Sequence, residues 1–230
     1  MRSVNGRWGT TWFFGKDEYV GKSLYHYGEY NPDETEMILS LAVPGKLCLD
    51  IGANFGVIGQ ALEYSGFEVV SFEPQPDVYD ILAKNVKGEK YNCALGDVKG
   101  FDIMPKIYPG SKANYGGMGV GHRSTVGYIQ VPVATLDSFN FKNVGFIKID
   151  VEGFEEKVLI GGRSTILENR PIMYIEDDRV GKSADLRKYI SSLGYNIREH
   201  KPTLYREDNY FGLRRNVWEK QYASHNLICY

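Results

Sequence analysis

Residues 47–59 read LCLDIGANFGVIG. A short apolar run, Leu47 to Ile51, carries one acid, Asp50, near its end. A turn built around Gly52 and Gly56 follows. Phe55, Ile58, Gly59 and Leu62 then recur at helical spacing. This is a strand that runs through a tight turn into a helix. Gly52 allows the sharp turn, and Gly56 allows the helix to lie close to the strand or to a ligand.

The same alternation continues outward. FEVVSFE (67–73) reads as a strand and PDVYDILAKNV (76–86) as a helix. YNCAL (91–95) and the strongly apolar VGFIKID (144–150) are strands, and FEEKVLIGG (154–162) is a helix stopped by glycines. IMYIED (172–177), YNIRE (195–199) and HNLICY (225–230) are strands, with the helix SADLRKYISSLG (183–194) between the first two. Strands that alternate with helices of about ten residues make βαβ units and a mainly parallel sheet with right-handed crossovers. Upstream, PDETEMILSLAV (32–43) reads as a helix, its start marked by Pro32 and Asp33. Residues 1–33 are aromatic and glycine-rich with weak periodicity, and read as an irregular lead-in to a core spanning 34–230.

Segment 100–133 breaks the rhythm. FDIMPKIYP (101–109) and GYIQVPVATL (127–136) read as strands around GSKANYGGMGVGHRST, a loop with glycines at 110, 116, 117, 119 and 121. A long glycine-rich insertion beside the ligand edge of an α/β sheet suits a substrate loop or lid.

The composition sets limits. The chain has 230 residues, 43% hydrophobic and 24% charged, enough for one domain with a sizeable core. A net charge of −2 gives no surface built to neutralise nucleic-acid phosphates. No run approaches the roughly 18 apolar residues of a membrane span. The first residues lack the apolar stretch of a signal peptide. Cys48, Cys93 and Cys229 have no metal-ligand spacing. A reduced, cytoplasmic protein without nucleic-acid or membrane partner is expected.

In a doubly wound sheet, ligands bind beyond the carboxyl ends of the strands. The glycine turn sits at one such end. Glu73 sits at the end of the next strand, where an acid accepts hydrogen bonds from two ribose hydroxyls. A nucleotide with a pyrophosphate fits poorly. Asn54 stands where the dinucleotide fingerprint wants a glycine, and the charge on Asp50 would repel phosphate. An acid suits a ligand with a cationic amino-acid tail and no phosphate, which favours S-adenosylmethionine over NAD.

Taken together, LDIGANFGVIG, FEPQPDVYDILAKNV, NCALGDVKG and TLDSF with VGFIKIDVEGFEEKVLIGG resemble the FkbM family of S-adenosylmethionine-dependent methyltransferases, over about residues 30 to 180. The K-x-D-x-E-G-x-E run from Lys148 to Glu155 is the most specific piece. The resemblance implies a Rossmann-like class I methyltransferase with a seven-stranded, mainly parallel sheet, methylating oxygen, often on sugars or natural products. By matched position, Asp50, Gly52, Ala53, Asn54 and Gly56 line the methionine end of the cofactor, and Asp50 meets its positive charge. Glu73 holds the ribose. Pro74, Gln75, Ala94 and Leu95 border the adenine, and Asp150 stands near the transferring methyl. Tyr30, Glu34 and Glu36 are the candidates to close over the methionine amino group.

A sugar hydroxyl is a poor nucleophile, so a base that takes its proton would help. Asp150 and Glu152, at the end of the VGFIKID strand, are the first candidates as base or as acceptor-orienting groups. Both also suit a helix cap. The pair could instead hold Mg²⁺ or Ca²⁺ together with Glu176 or Asp177, a metal that is possible but is not the expected reading. Lys148 shares a strand face with Asp150 and would neutralise an acid or contact substrate. His122, in the glycine-rich loop, is a further candidate base, and Arg123 beside it a candidate grip on an anionic substrate. Two other readings stay open: an NAD(P)-dependent oxidoreductase on the same fold, and a non-catalytic methyltransferase-like binding module.

Overall fold

The computed structural model describes residues 1–122, 124–218 and 224–230. The chain opens with strands β1 (Arg2–Gly6) and β2 (Gly9–Phe13), then helices α1 (Val20–Tyr27) and α2 (Pro32–Leu41). The alternating region follows as β3 (Leu47–Ile51), α3 (Val57–Tyr64), β4 (Glu68–Phe72), α4 (Pro76–Asn85) and β5 (Glu89–Tyr91). The insertion holds β6 (Ala94–Leu95), β7 (Gly100–Pro105) and β8 (Tyr128–Ala134). The remainder is β9 (Val144–Ile149), α5 (Glu155–Gly161), α6 (Arg163–Asn169), β10 (Ile172–Glu176), α7 (Val180–Ser192), β11 (Ile197–His200) and β12 (Asn226–Cys229).

Among the described residues the main sheet has seven strands in the order β11-β12-β10-β9-β3-β4-β5. All neighbours pair in parallel except β12, which runs antiparallel between β10 and β11. This is the α/β architecture expected from the sequence. Its central strands are apolar runs because both faces are covered: every residue of β9 is buried. Alternate residues feed two layers. Leu49, Ile51, Ile147, Ile149, Met173 and Ile175 face one, and Cys48, Phe146, Tyr174 and Ile228 face the other with Ile38 of α2. From β3 the chain winds outward through β4 to β5, whereas from β9 it winds the opposite way through β10. The crevice between β3 and β9 is therefore the topological switch point where such sheets bind ligands.

Three segments differ from expectation. Residues 1–33 are not irregular: β1 and β2 form an antiparallel hairpin turned at Arg7-Trp8, with Gly6 opposite Gly9, and α1 follows. The hairpin is tied to the core, since Trp12 N donates to Asn85 Oδ1 at 2.7 Å and Thr11 Oγ1 donates to Gln60 Oε1 at 2.6 Å. YNCAL is not one strand. Asn92 turns its Nδ2 onto the Glu73 and Pro74 carbonyls, so β5 stays in the main sheet while β6 leaves to pair with β8. The glycines after FEEKVLI end α5, but a second short helix, α6, follows at once. The insertion is the expected pair of strands, β7 antiparallel to β8 in a separate three-stranded sheet.

Candidate active site

A cavity of about 390 Å³ opens at the carboxyl ends of β3, β4, β9 and β10. Its floor is the glycine turn. Gly52 has φ +77°, and a Cβ there would lie 1.8 Å from the Asp150 carbonyl, so the strand ends of β3 and β9 can meet only at glycine. Gly56 has φ +82°, and a Cβ there would press on Leu82 and Val86 of the α4 segment. Asn54, at φ 51°, takes the left-handed conformation that asparagine tolerates.

Glu73 reaches back over this turn. Its Oε2 accepts the Asn54 amide at 3.0 Å and its Oε1 accepts the Gln75 amide at 2.8 Å. The carboxylate is thereby fixed at the cavity wall with lone pairs to spare. Burial pushes its pKa up to about 7, against the pull of the two amides. Pro74, Gln75, Cys93, Ala94, Leu95 and Met104 continue the same wall. Two side-chain acceptors on this lining, Asn54 Oδ1 and Gln75 Oε1, are buried without a hydrogen-bond partner among the described residues.

The opposite end is acidic. Tyr30 and the buried Glu34 line it, together with Lys148, Asp150, Glu152, Glu176 and Arg179. Asn31 Nδ2 donates to Glu34 Oε2, while burial pushes the Glu34 pKa up to about 7 in spite of nearby Lys148. Lys148 Nζ lies 3.5 Å from both Asp50 Oδ1 and Asp150 Oδ2 and donates to Gly52 O at 2.8 Å. Burial alone would lower the Lys148 pKa; the carboxylates of Asp150, Asp50 and Glu34 outweigh it and raise it. Arg179 forms an ion pair with Glu152.

The glycine-rich loop closes the remaining side, with Asn114 to Val120 on the lining. Its anchors include the side chains of Asp17 and His122. Tyr115 N donates to Asp17 Oδ2 at 3.0 Å. Gly119 N donates to His122 Nδ1 at 3.0 Å, which places the ring proton on Nε2, and Nε2 donates to Glu152 O at 2.9 Å.

The profile of the FkbM methyltransferase domain matches residues 50–197. The chain belongs to the FkbM methyltransferase family. It therefore carries a methyltransferase domain of the S-adenosylmethionine-dependent class, and the oxidoreductase reading falls. The FkbM methyltransferase structure from Methylobacillus flagellatus KT is similar at a TM-score of 0.53 and 18% identity, covering 93% of this chain and 55% of that one. This chain thus spans just over half the length of that FkbM structure. Sp1610 of Streptococcus pneumoniae, solved in complex with S-adenosyl-L-methionine, is similar at a TM-score of 0.50 and 13% identity, covering 85% of this chain and 70% of that one. These likenesses show the fold. No curated protein matches the chain significantly.

Against this FkbM framework, most of the residues singled out in the sequence come together. Tyr30, Gly52, Ala53, Asn54, Glu73, Pro74, Gln75, Ala94, Leu95, Lys148, Asp150 and Glu152 all line the one cavity. Gly56 shapes the turn beneath it without lining it. Asp50 is a correction: its side chain is fully buried, does not line the cavity, and faces Lys148, its cross-strand partner in the β3–β9 pairing. Alternation along β3 aims it at the face that carries Cys48 and packs against α3, beside Gly59, so it reaches the ligand end only through Lys148. Glu36 points away and pairs with Arg7 and Arg206. His122 is a second correction, because both ring nitrogens are occupied by backbone groups and neither faces the cavity. Of the two acids named as possible metal partners, Glu176 joins Asp150 and Glu152. Asp177 points to the other face and is held by Ser183 and Arg187. Arg123 lies outside the described residues. Sequence reasoning missed Tyr19, Cys93, Met104 and Arg179 as lining residues. Arg179 could have been found as a charge just past the end of a core strand.

Among the described residues no helix is long and apolar enough to cross a membrane.

Proposed function

We propose that this chain, acting as one methyltransferase unit over residues 1–230, binds S-adenosylmethionine in the cavity and methylates an oxygen, the hydroxyl of a sugar or glycan. The observation that carries the reading is the pairing of a nucleoside cradle with an acid-lined acceptor end in one cavity. The cradle fits the cofactor. Glu73 would take the two ribose hydroxyls, and the unpartnered oxygens Asn54 Oδ1 and Gln75 Oε1 are acceptors that a ligand's hydroxyl and amine donors can satisfy. Tyr30 and Glu34 would flank the amino-acid tail. Bound there, S-adenosylmethionine supplies an electrophilic methyl group on a sulfonium.

This chain's residues do the rest. Methyl transfer needs the acceptor oxygen in line with the sulfur–methyl bond, so positioning contributes much of the rate. Asp150 and Glu152, just past the end of β9, are placed to orient the hydroxyl and to take up its proton. Lys148 keeps Asp150 oriented. The glycine-rich loop, held by Asp17 and His122, would wall the acceptor off from water.

Calorimetric titration with S-adenosylhomocysteine, followed by transfer from labelled S-adenosylmethionine to a panel of sugar acceptors, tests the reading. One-to-one micromolar binding and an O-methylated product are expected. No binding would remove the cofactor assignment and revive the non-catalytic module. Binding with methyl transfer only to nitrogen acceptors would remove the hydroxyl assignment.

A further inference from the structure

We propose that Asp150, Glu152 and Glu176 form a binding site for one divalent, oxygen-preferring cation at the acceptor end of the cavity. One carboxylate oxygen from each residue lies within 4.8 Å of the other two. Ligand oxygens about 2.0–2.6 Å from a common Mg²⁺, Mn²⁺ or Ca²⁺ stand about 3–5 Å apart, so the three can share an ion with little movement.

A cluster of acids alone would not carry this. The second observation is Glu176 itself. Its Oε2 is out of reach of solvent and, among the described residues, accepts no hydrogen bond. Among the described residues, the neighbouring cations Lys148 and Arg179 are committed elsewhere: Lys148 to Asp50, Asp150 and Gly52 O, and Arg179 to Glu152. Parallel pairing of Ile149 with Ile175 sets the Asp150 and Glu176 positions side by side at the strand ends. A buried carboxylate with no donor, beside two more acids, is strongly disfavoured unless a cation or a shared proton offsets it. A site open on the cavity side favours a cation, because the ion can also take an oxygen of the acceptor as ligand.

The inference deepens the proposed function and rests on it for the acceptor's place. It assigns the three acids to holding a cation, through which an acceptor hydroxyl is positioned. Cation binding itself can be tested without any acceptor.

The test is titration of the purified chain with Mn²⁺, the free ion read by electron paramagnetic resonance, alongside S-adenosylhomocysteine calorimetry on the same samples. One Mn²⁺ per chain is expected. Glu176→Gln should weaken it at least tenfold while leaving S-adenosylhomocysteine affinity within about twofold, which also reports an intact fold. Asp177→Asn, on the opposite face, should leave Mn²⁺ binding unchanged. S-adenosylhomocysteine binding without Mn²⁺ binding, or Mn²⁺ binding indifferent to Glu176→Gln, overturns the site and points to a shared proton; the methyltransferase reading then stands. Mn²⁺ binding without S-adenosylhomocysteine binding supports the site and removes the cofactor reading. Loss of both ligands in the unaltered chain overturns both.

Discussion

Glu73 accepts the backbone amide of Asn54 at 3.0 Å, joining the end of β4 to the glycine turn after β3. With the Gln75 amide on its other oxygen, this acid is fixed before any ligand arrives. Burial holds its pKa up at about 7, so near neutral pH it is partly protonated in the free protein. In the proposed role, ribose hydroxyls would donate to the ionised form, so binding would release that proton. S-adenosylhomocysteine affinity should therefore rise by up to tenfold per pH unit as pH climbs toward 7, and level off above it. Glu73→Gln should flatten the slope to what Glu34, also raised to about 7 in the same cavity, still contributes, and weaken binding roughly ten- to a hundredfold for each charged hydrogen bond lost. Titrations between pH 5.5 and 8.5 check both. An affinity indifferent to pH would remove the ribose role.

Among the described residues, Lys148 is the counter-ion of a carboxylate that has no other. Asp50 is fully buried, and among the described residues neither of its oxygens has a hydrogen-bond partner; Lys148 Nζ at 3.5 Å is its compensation. Removing one partner of a buried pair leaves an uncompensated charge and destabilises by about 3–5 kcal/mol. Lys148→Met should lower unfolding stability by that order in urea titrations. Pairing it with Asp50→Asn should recover part of the loss, because the stranded charge goes too. Equal losses in the single and double variants would mean that Lys148 acts mainly through Asp150.

The contrast between Asp50 and Glu73 shows what could be read in advance. The strand, turn and helix from Leu47 to Tyr64 are encoded locally, by an apolar run, two glycines and helical spacing. Glu73 follows from its position at the next strand end. The direction in which Asp50 points is not local. It depends on the β3–β9 register, which sets Asp50 opposite Lys148. Glu176 likewise needs the sheet order before it can stand beside Asp150. The N-terminal hairpin was illegible because its strands are five residues each, mostly exposed, and lean on Gln60 and Asn85 far along the chain.

His122 looked like a base in the sequence and is a clamp in the fold. Gly119 N and Glu152 O occupy its two nitrogens. His122→Ala should loosen the loop by about two hydrogen bonds, near 0.5–1.5 kcal/mol each. The expected result is a raised acceptor KM with kcat lowered less than about tenfold and the shape of its pH profile kept. A general base would instead be worth about 10²–10⁴ in rate. A fall of that size, with loss of the acid limb of the profile, would restore the catalytic role.

A variant at Asp150 would separate holding the cofactor from moving the methyl group. It lies just past the end of β9, beside Lys148 and within reach of Glu152 and Glu176, on the cavity lining. The Glu73 cradle stands at the ends of β4 and β3, across the glycine turn. Asp150→Asn keeps the shape and removes the charge. It should cut kcat by about 10²–10⁴ while S-adenosylhomocysteine affinity changes severalfold at most, read by single-turnover transfer beside calorimetry. If affinity and rate fall by the same factor, Asp150 belongs to the cofactor's hold and the acceptor's proton leaves by way of Glu152. If neither changes, the acceptor lies against the glycine-rich loop instead, and variants from Asn114 to Val120 should then carry the rate effect.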